Sequence, residues 1–540
     1  MGVSSGKWYW EVYPKSDNVT PIIGAGQDGN YHLFENDIYP GQSSYGNAFG
    51  LQSNGTLRVN GTSTGGWHNT FGLNNNNNAT ISIALDMDAG KAYIAVNGFW
   101  GPLSATGTNE MVSSGTATPA ATGLTGTYRP VYAVNGGDSN DRMDINFGQR
   151  PFRFTPPDGF KCLNRTNLPV PSKAARNANK NFGAVLWTGT VPTGSATPGV
   201  NEPPVRTGWN FKPDLLWIKD RNQTWTIGHR LYDSVRGAGV NKHLDSSTAD
   251  SEGWGNDETY GYVTGFVEGG FTSANGTNGN DYVNSSTTNY VGWAWKAGES
   301  FTPSQTGGIT NLAGSRNTDA GFSIVKYTGS NAVSTVGHGL NSAPEMIIIK
   351  NRDDNANWIV YHKGVDATAP EDYYMMLHVD DARTSAGTAF NSTAPDSSVF
   401  HLGAFNNTNG SGDELIAYCF HSVDGYCKVG NYIGNGDAEG PKIETGFKPA
   451  FVLTKRTDSN YGGEWSIKDN VRDTFNPNTQ LLSPDLNSAE ISSDGIDFQS
   501  DGFRVRTAGG WNNQGGGNYI YLAFAEAPTN AGFGAVVNAR

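Results

Sequence analysis

Carboxylates, imidazoles and thiols are the groups in this chain that could do chemistry, and their spacing offers little to a reaction. Asp86 and Asp88, in "DMDAGK", stand two residues apart as calcium ligands can, yet no glutamate follows to close a twelve-residue calcium loop. A hairpin turn is the simpler reading of the same phrase. The adjacent acids Glu371 and Asp372, and Asp380 and Asp381, could supply the acid and nucleophile of glycoside hydrolysis. Neighbouring side chains on an extended chain point to opposite faces, so both pairs read as solvated loop. His229, His338, His362, His378 and His401 are scattered, and Cys162, Cys419 and Cys427 contain no C-x-x-C pair, so neither a zinc site nor a disulfide framework is expected. The nucleophile elbow, the H-E-x-x-H zinc motif, the phosphate-cradling loop and the dinucleotide fingerprint do not occur. The expectation is a binder, with no catalytic residue, no metal and no cofactor.

Bulk properties narrow the class further. A chain of 540 residues exceeds one hydrophobic core. Its 71 Gly, 14 Trp, 23 Tyr and 25 Phe, with only 16% charged residues, suit short strands joined by many turns. The net charge of −13 is spread without a basic block, so nucleic acid is not an expected partner. No apolar run approaches the roughly 18 residues that span a bilayer, and "MGVSSGKWYW" lacks the charged start and apolar core of a signal peptide, so membrane insertion is not expected.

The elements that must carry any site are repeated. "NFKPDLLWIKDR" (210–221), "GLNSAPEMIIIKNR" (339–352) and "GFKPAFVLTKR" (446–456) are versions of one phrase, in which a turn leads to a four- or five-residue apolar burst and then to cations. A burst this short between a Pro turn and a cation predicts a central strand buried on both faces. Lys219 and Arg221, Lys350 and Arg352, and Lys455 and Arg456 then read as solvated strand ends. A lone tryptophan follows each phrase, Trp225, Trp358 and Trp465, and reads as core. Each unit closes on an aromatic strand. The units fall at 182–298, 321–424 and 425–527, with linkers at 164–181 and 299–320 and a tail at 528–540; residues 1–163 form a separate block with alternating strands around the "DMDAGK" turn. The fold class expected is all-β, one antiparallel sandwich followed by three sandwich-like units.

The first block resembles a SPRY domain through "SGKWYWEV" (5–12), "IIGAG" (22–26), "ISIALDMDAGKAYIAVNG" (81–98), "YRPVYAV" (128–134) and "DINFGQRPFRFTPPDGFKCL" (144–163). The resemblance implies a binding module, and a strand that normally precedes the first of these phrases is missing. Residues 182–527 resemble a domain repeated in virion proteins of marine tailed phages, through "AGFSIVKYTG", "NWIVYHKG", "SSVFHLG" and "YCFHSVDGYCKVGNYIGNG". That resemblance implies a virion protein of the tail, a fibre or an appendage, made in the host cytoplasm. Its partners would be other virion proteins and further copies of itself, a homo-oligomer with a trimer favoured, in which the repeats build a stalk. Contact with the host surface through a glycan or a protein is the leading function, a spacer or decoration protein the second, and a polysaccharide depolymerase a distant third. Exposed loop aromatics can stack on sugar rings, which makes Tyr31, Trp67 and Trp100 of the first block the candidate ligand-binding residues.

Overall fold

Alternation of large and polar residues dictates the first sandwich. In the computed structural model, residues 2–15, 21–27, 47–68, 79–104, 106–133, 142–164, 167, 172–190, 205–206, 208–222, 228–255, 257–277, 282–286, 288–459, 463–527, 529–531 and 535–537 are described. The chain divides into two compact units, Met1–Val170 and Pro171–Arg540. It is all-β, and among the described residues no helix exceeds five residues.

In the first unit, one antiparallel sheet runs in the order Arg142–Asn146, Lys7–Lys15, Ile81–Asp86, Lys91–Val96, Phe99–Trp100. The facing sheet runs Tyr128–Ala133, Ile22–Gln27, Ala48–Gln52, Leu57–Val59, Thr62–Thr64. Trp8, Trp10 and Val12 point between the sheets onto Ile23, Phe49, Ile83 and Ile94. Gly24 lets the sheet close up there, because a Cβ at this position would lie 1.8 Å from the Phe49 carbonyl oxygen. The alternate residues Tyr9, Glu11 and Tyr13 face the other way and are buried as well. The Glu11 carboxylate explains why: it accepts from the Tyr9 hydroxyl at 2.9 Å, from Tyr13, and from the backbone N–H groups of Arg153 and Phe154 at 2.9 Å each, which ties the "GQRPFRF" segment across the outer face. Lys7–Lys15 is paired on both flanks, with Arg142–Asn146 and with Ile81–Asp86.

The second unit repeats one sheet three times. Each repeat has an opening, a central, an outer and a closing strand along the chain. In space the order is opening, closing, central, outer, antiparallel throughout. In the first repeat these are Phe182–Thr188, Asn289–Trp295, Leu215–Asp220 and Arg230–Asp233. In the second they are Phe322–Thr328, Glu414–Phe420, Met346–Asn351 and Ile359–His362. In the third they are Cys427–Ile433, Asn518–Ala525, Pro449–Arg456 and Ser466–Asp469. The central strands are buried on both faces as the apolar bursts predict; Met346 and Ile348 enter one core while Ile347 and Ile349 enter another.

One of those cores is common to all three repeats. Register makes Trp295, Phe420 and Phe524 equivalent, each opposite the first residue or so of its opening strand and of its central strand. Their rings meet at 6.5 Å (Trp295–Phe420), 5.7 Å (Trp295–Phe524) and 6.1 Å (Phe420–Phe524), a triangle at the centre of the unit. Instead of adding length, the repeats therefore close on one another. The segments read as linkers belong to this body. Ala174, Ala175 and Ala178 of 164–181 are buried in the shared core, and 299–320 forms Glu299–Phe301, Gln305–Thr306 and Thr310–Asn317, strands of the second repeat's sheets. Thr and Asn in such edge strands mimic loop composition. Within 528–540, Thr529–Ala531 pairs with Ala535–Val537.

The lysines at the strand ends differ most from expectation. Lys219, Lys350 and Lys455 are buried; Lys219 Nζ pairs with the adjacent Asp220 carboxylate, and the other two meet loop carbonyls of the preceding repeat instead of water. Lys350 Nζ donates to the carbonyls of Ala249 (3.0 Å), Asn351 (2.7 Å) and Ala356 (2.9 Å), and Lys455 Nζ to those of Asp380, Asp381 and Arg456 (3.0, 3.0 and 2.9 Å). Carbonyl oxygens thus replace the hydration shell. Trp358 donates from Nε1 to the Asp245 carbonyl at 2.9 Å and Trp465 to that of Met376 at 2.9 Å, so second joins first and third joins second by the same pair of bonds. Trp225 lies outside the described residues. The ring closes from first to third through Arg221 and Glu490 (2.7 Å) and Ser246 Oγ donating to the Pro484 carbonyl (2.8 Å).

Truncating the hub should therefore weaken all three repeats together. Trp295→Ala is expected to lower unfolding free energy by about 3–5 kcal/mol, the usual cost of emptying a buried aromatic site. Urea denaturation followed by tryptophan fluorescence measures it; a loss below about 1 kcal/mol, the size of a surface change, contradicts the hub.

Candidate functional site

The rim of the first sandwich holds the aromatic surface that sequence reasoning sought, displaced by one residue. Asn97 (φ 52°) and Gly98 (φ 84°) make the tight turn that sets Phe99–Trp100 against Lys91–Val96. Alternation then sends the two rings to opposite faces. Trp100, opposite Ala95, is buried against Tyr9 and Val112, and its Nε1 donates to Asn109 Oδ1 at 2.7 Å. It cannot stack on a ligand. Phe99, opposite Val96, lies on the inner face but at the edge of the sheet, and is 60% exposed among the described residues.

Backbone bonds gather further apolar groups there. The Leu103 N–H donates to the Trp67 carbonyl at 2.7 Å, and His68 Nε2 lies 3.2 Å from the Phe99 carbonyl. Trp67 is half-buried against the inter-sheet core, while Leu103 is exposed. The strand Thr62–Thr64 beside Trp67 is exposed at every residue and forms the edge of its sheet. Among the described residues the rim thus combines Trp67, Phe99 and Leu103 with the last strand of the sheet, a surface suited to stacking and to hydrogen bonding with an extended ligand. Tyr31 lies outside the described residues. Alternation puts Phe99 on the face of buried Val96, and only its place at the sheet edge leaves it exposed.

The other chemistry-bearing groups serve the fold. Asp86 pairs with Lys7 at 3.0 Å and accepts from the Ala89 N–H at 2.9 Å, and Asp88 accepts from the Gly6 N–H at 2.7 Å, so both carboxylates are spent on the turn. The Asp380 and Asp381 carbonyls hold Lys455. Cys419 and Cys427 are buried, and burial pushes both thiols up to about 12, away from thiolate chemistry.

The inner histidines are neutral by construction. His362 Nδ1 accepts from the Gly364 N–H at 3.0 Å, which leaves Nε2 to donate to the Tyr521 carbonyl at 3.2 Å. His229 does the same between the Trp217 Nε1 donor (2.8 Å) and the Ser483 carbonyl (3.0 Å). Asp233 and Asp469 occupy the place of His362 in the other repeats, at the end of the outer strand. They accept from Tyr418 Oη at 2.8 Å and Trp293 Nε1 at 3.0 Å, donors supplied by the closing strand of the next repeat. Leu522 stands in the register of Trp293 and Tyr418 and has no donor, so His362 donates to a backbone carbonyl instead.

Residues 170–528 match the model of a family described as Domain of unknown function (DUF7483). Among solved structures, the chain is similar to the SPRY domain of human HERC1, at 17% identity and a TM-score of 0.20, over 28% of this chain and 80% of that one. That superposition is too loose to support a conclusion about fold or binding. No curated protein matches.

The neutral imidazoles make the body sensitive to acid. Burial holds His362 at about 4, against the pull of the Tyr521 carbonyl, whereas the unfolded side chain titrates near 6.5. The unfolded chain binds more protons between these values, so this group's stability is whole above pH 6.5 and falls as pH drops toward 4, by about 3 kcal/mol. Asp485, raised by burial to about 7, works in the opposite sense, so the contrast with His362→Gln isolates the histidine. The stability gap between wild type and His362→Gln should narrow by about 3 kcal/mol between roughly pH 7 and pH 4. A gap independent of pH would mean that the imidazole is not held neutral.

Proposed function

Because the chain belongs to the DUF7483 family through residues 170–528, described as a domain of unknown function, we propose that it is a virion structural protein of a tailed phage, in a tail fibre or tail appendage. In this reading the DUF7483 body is the scaffold and the first sandwich, a SPRY-like module, contacts the host surface through a glycan or protein. The exposed rim of Trp67, Phe99 and Leu103 carries the proposal, since a soluble sandwich gains nothing from leaving a phenyl ring in water unless something covers it. The resemblance of residues 182–527 to phage virion repeats supports the setting, and the neutral histidines favour binding over a depolymerase.

Closure of the repeats on one core favours a second reading, a compact spacer or decoration protein whose rim is covered by a neighbouring virion protein. Homo-oligomerisation, with a trimer favoured, belongs to the proposal on the analogy with phage fibres alone. The repeats' inner faces are already buried within one chain.

Trp67→Ala combined with Phe99→Ala should weaken adsorption to host cells by about 1–3 kcal/mol, the range for interface anchors. Trp100→Ala should instead lower thermal stability, because its ring is core. Adsorption unchanged in the folded double variant would leave the spacer, and immunogold labelling confined to a shaft or shell would agree with it.

A further inference from the structure

The third repeat carries an open cleft of about 570 Å3, inside the range of roughly 300–1,000 Å3 common for small-ligand sites. Phe475 forms part of its wall and, at 78%, is the most exposed large apolar side chain among the described residues. The segment that carries it is fixed at both ends. Asp469 Oδ1 accepts from the N–H groups of Val471 and Arg472 at 3.1 and 2.9 Å, and the Asn476 amide both donates to the Phe498 carbonyl (3.0 Å) and accepts from the Phe498 N–H (2.9 Å). The backbone is held while the ring stands in solvent.

Polar groups of several kinds surround that ring. Lys448 and Glu526 pair at 2.5 Å, so their charges cancel inside the cleft. Asp473 uses one carboxylate oxygen on the Thr479 N–H at 2.9 Å. The side chains of Asn470 and Ser500 make no hydrogen bond with the described residues and line the same space. The first repeat provides a contrast. A cleft beside Lys212, the counterpart of Lys448, contains Phe301 as its aromatic, but that ring lies close against Gly314 and Gly339 and beneath the Arg316 guanidinium at 5.1 Å. Of these two clefts, the third repeat's leaves its ring free to stack.

We infer that this cleft binds a neutral saccharide, with the C–H face of a hexose on Phe475 and vicinal hydroxyls shared among Glu526, Lys448 and Asn470. An acidic sugar is disfavoured because Lys448 is already paired with Glu526, Asp473 adds a further carboxylate to the cleft, and the chain carries a net charge of −13. The site is separate from the sandwich rim and does not depend on the reading given to that rim.

Saturation-transfer NMR on the full chain, with maltohexaose, cellohexaose and chitohexaose as probes, tests the inference. Transfer to the ring protons of at least one probe is expected. Phe475→Ala should weaken that binding about tenfold, Phe475→Trp should retain it, and the Trp67→Ala, Phe99→Ala variant should leave it unchanged. Because the ring is exposed, Phe475→Ala should keep the wild-type melting temperature, which excludes misfolding as the cause. Absence of transfer from all three probes, or transfer that Phe475→Ala leaves intact, would overturn the site.

Discussion

The inner face of each repeat's main sheet can be buried only by the other two repeats. Trp295, Phe420 and Phe524 occupy one register position in three sheets, and their mutual contact fixes where those sheets meet. Everything peripheral follows from that closure. Lys350 and Lys455 find carbonyls because a neighbour's loop lies over them, and the outer-strand Asp233, His362 and Asp469 find hydrogen-bond partners because the next closing strand passes beside them. A linear repeat protein buries each unit against its chain neighbours only and leaves its two ends to be capped. Here the first repeat also meets the third, through Arg221 with Glu490 and Ser246 with Pro484.

The strands were legible in the sequence because period and length are local. Four apolar residues between a Pro turn and a cation can only be a strand buried on both faces, and Met346–Asn351 is one. The sandwich and its "DMDAGK" hairpin were legible for the same reason. The closure was not, since aromatic closing strands look alike whether they stack end to end or converge. The buried lysines were unreadable for a related reason. A cation at the end of an apolar run signals water in most sheets, and only the neighbouring loop, far away in sequence, turns that water into carbonyl oxygen. Composition also misled at 299–320, where Thr, Ser, Asn and Gly build edge strands that need no apolar face.

At the rim the miss is of a different kind. The turn at Asn97 and Gly98 places Phe99 on the inner face and Trp100 on the outer one, yet Trp100 is the buried ring, because Tyr9 and Val112 cover it while Phe99 lies at the sheet edge. Alternation in a two-residue strand sets the face, and what packs over that face sets the exposure. The groups best equipped for catalysis are held in states that suppress it: thiols kept protonated by burial, imidazoles kept neutral by one donor and one acceptor, and carboxylates committed to turns and arginines. Among the described residues, Phe99 and Phe475 are the phenyl rings that reach furthest into solvent, at the sandwich rim and in the third repeat.

Native-state hydrogen exchange across a denaturant series tests the closure most directly, because it reads the opening free energy of each strand in the intact chain. Val291, Ala417 and Ala523 of the three closing strands are buried to the same extent. If the repeats share one core, these amides should converge on a single opening free energy with a single denaturant dependence. Distinct values for each repeat, with one closing strand opening while the others stay protected, would contradict it.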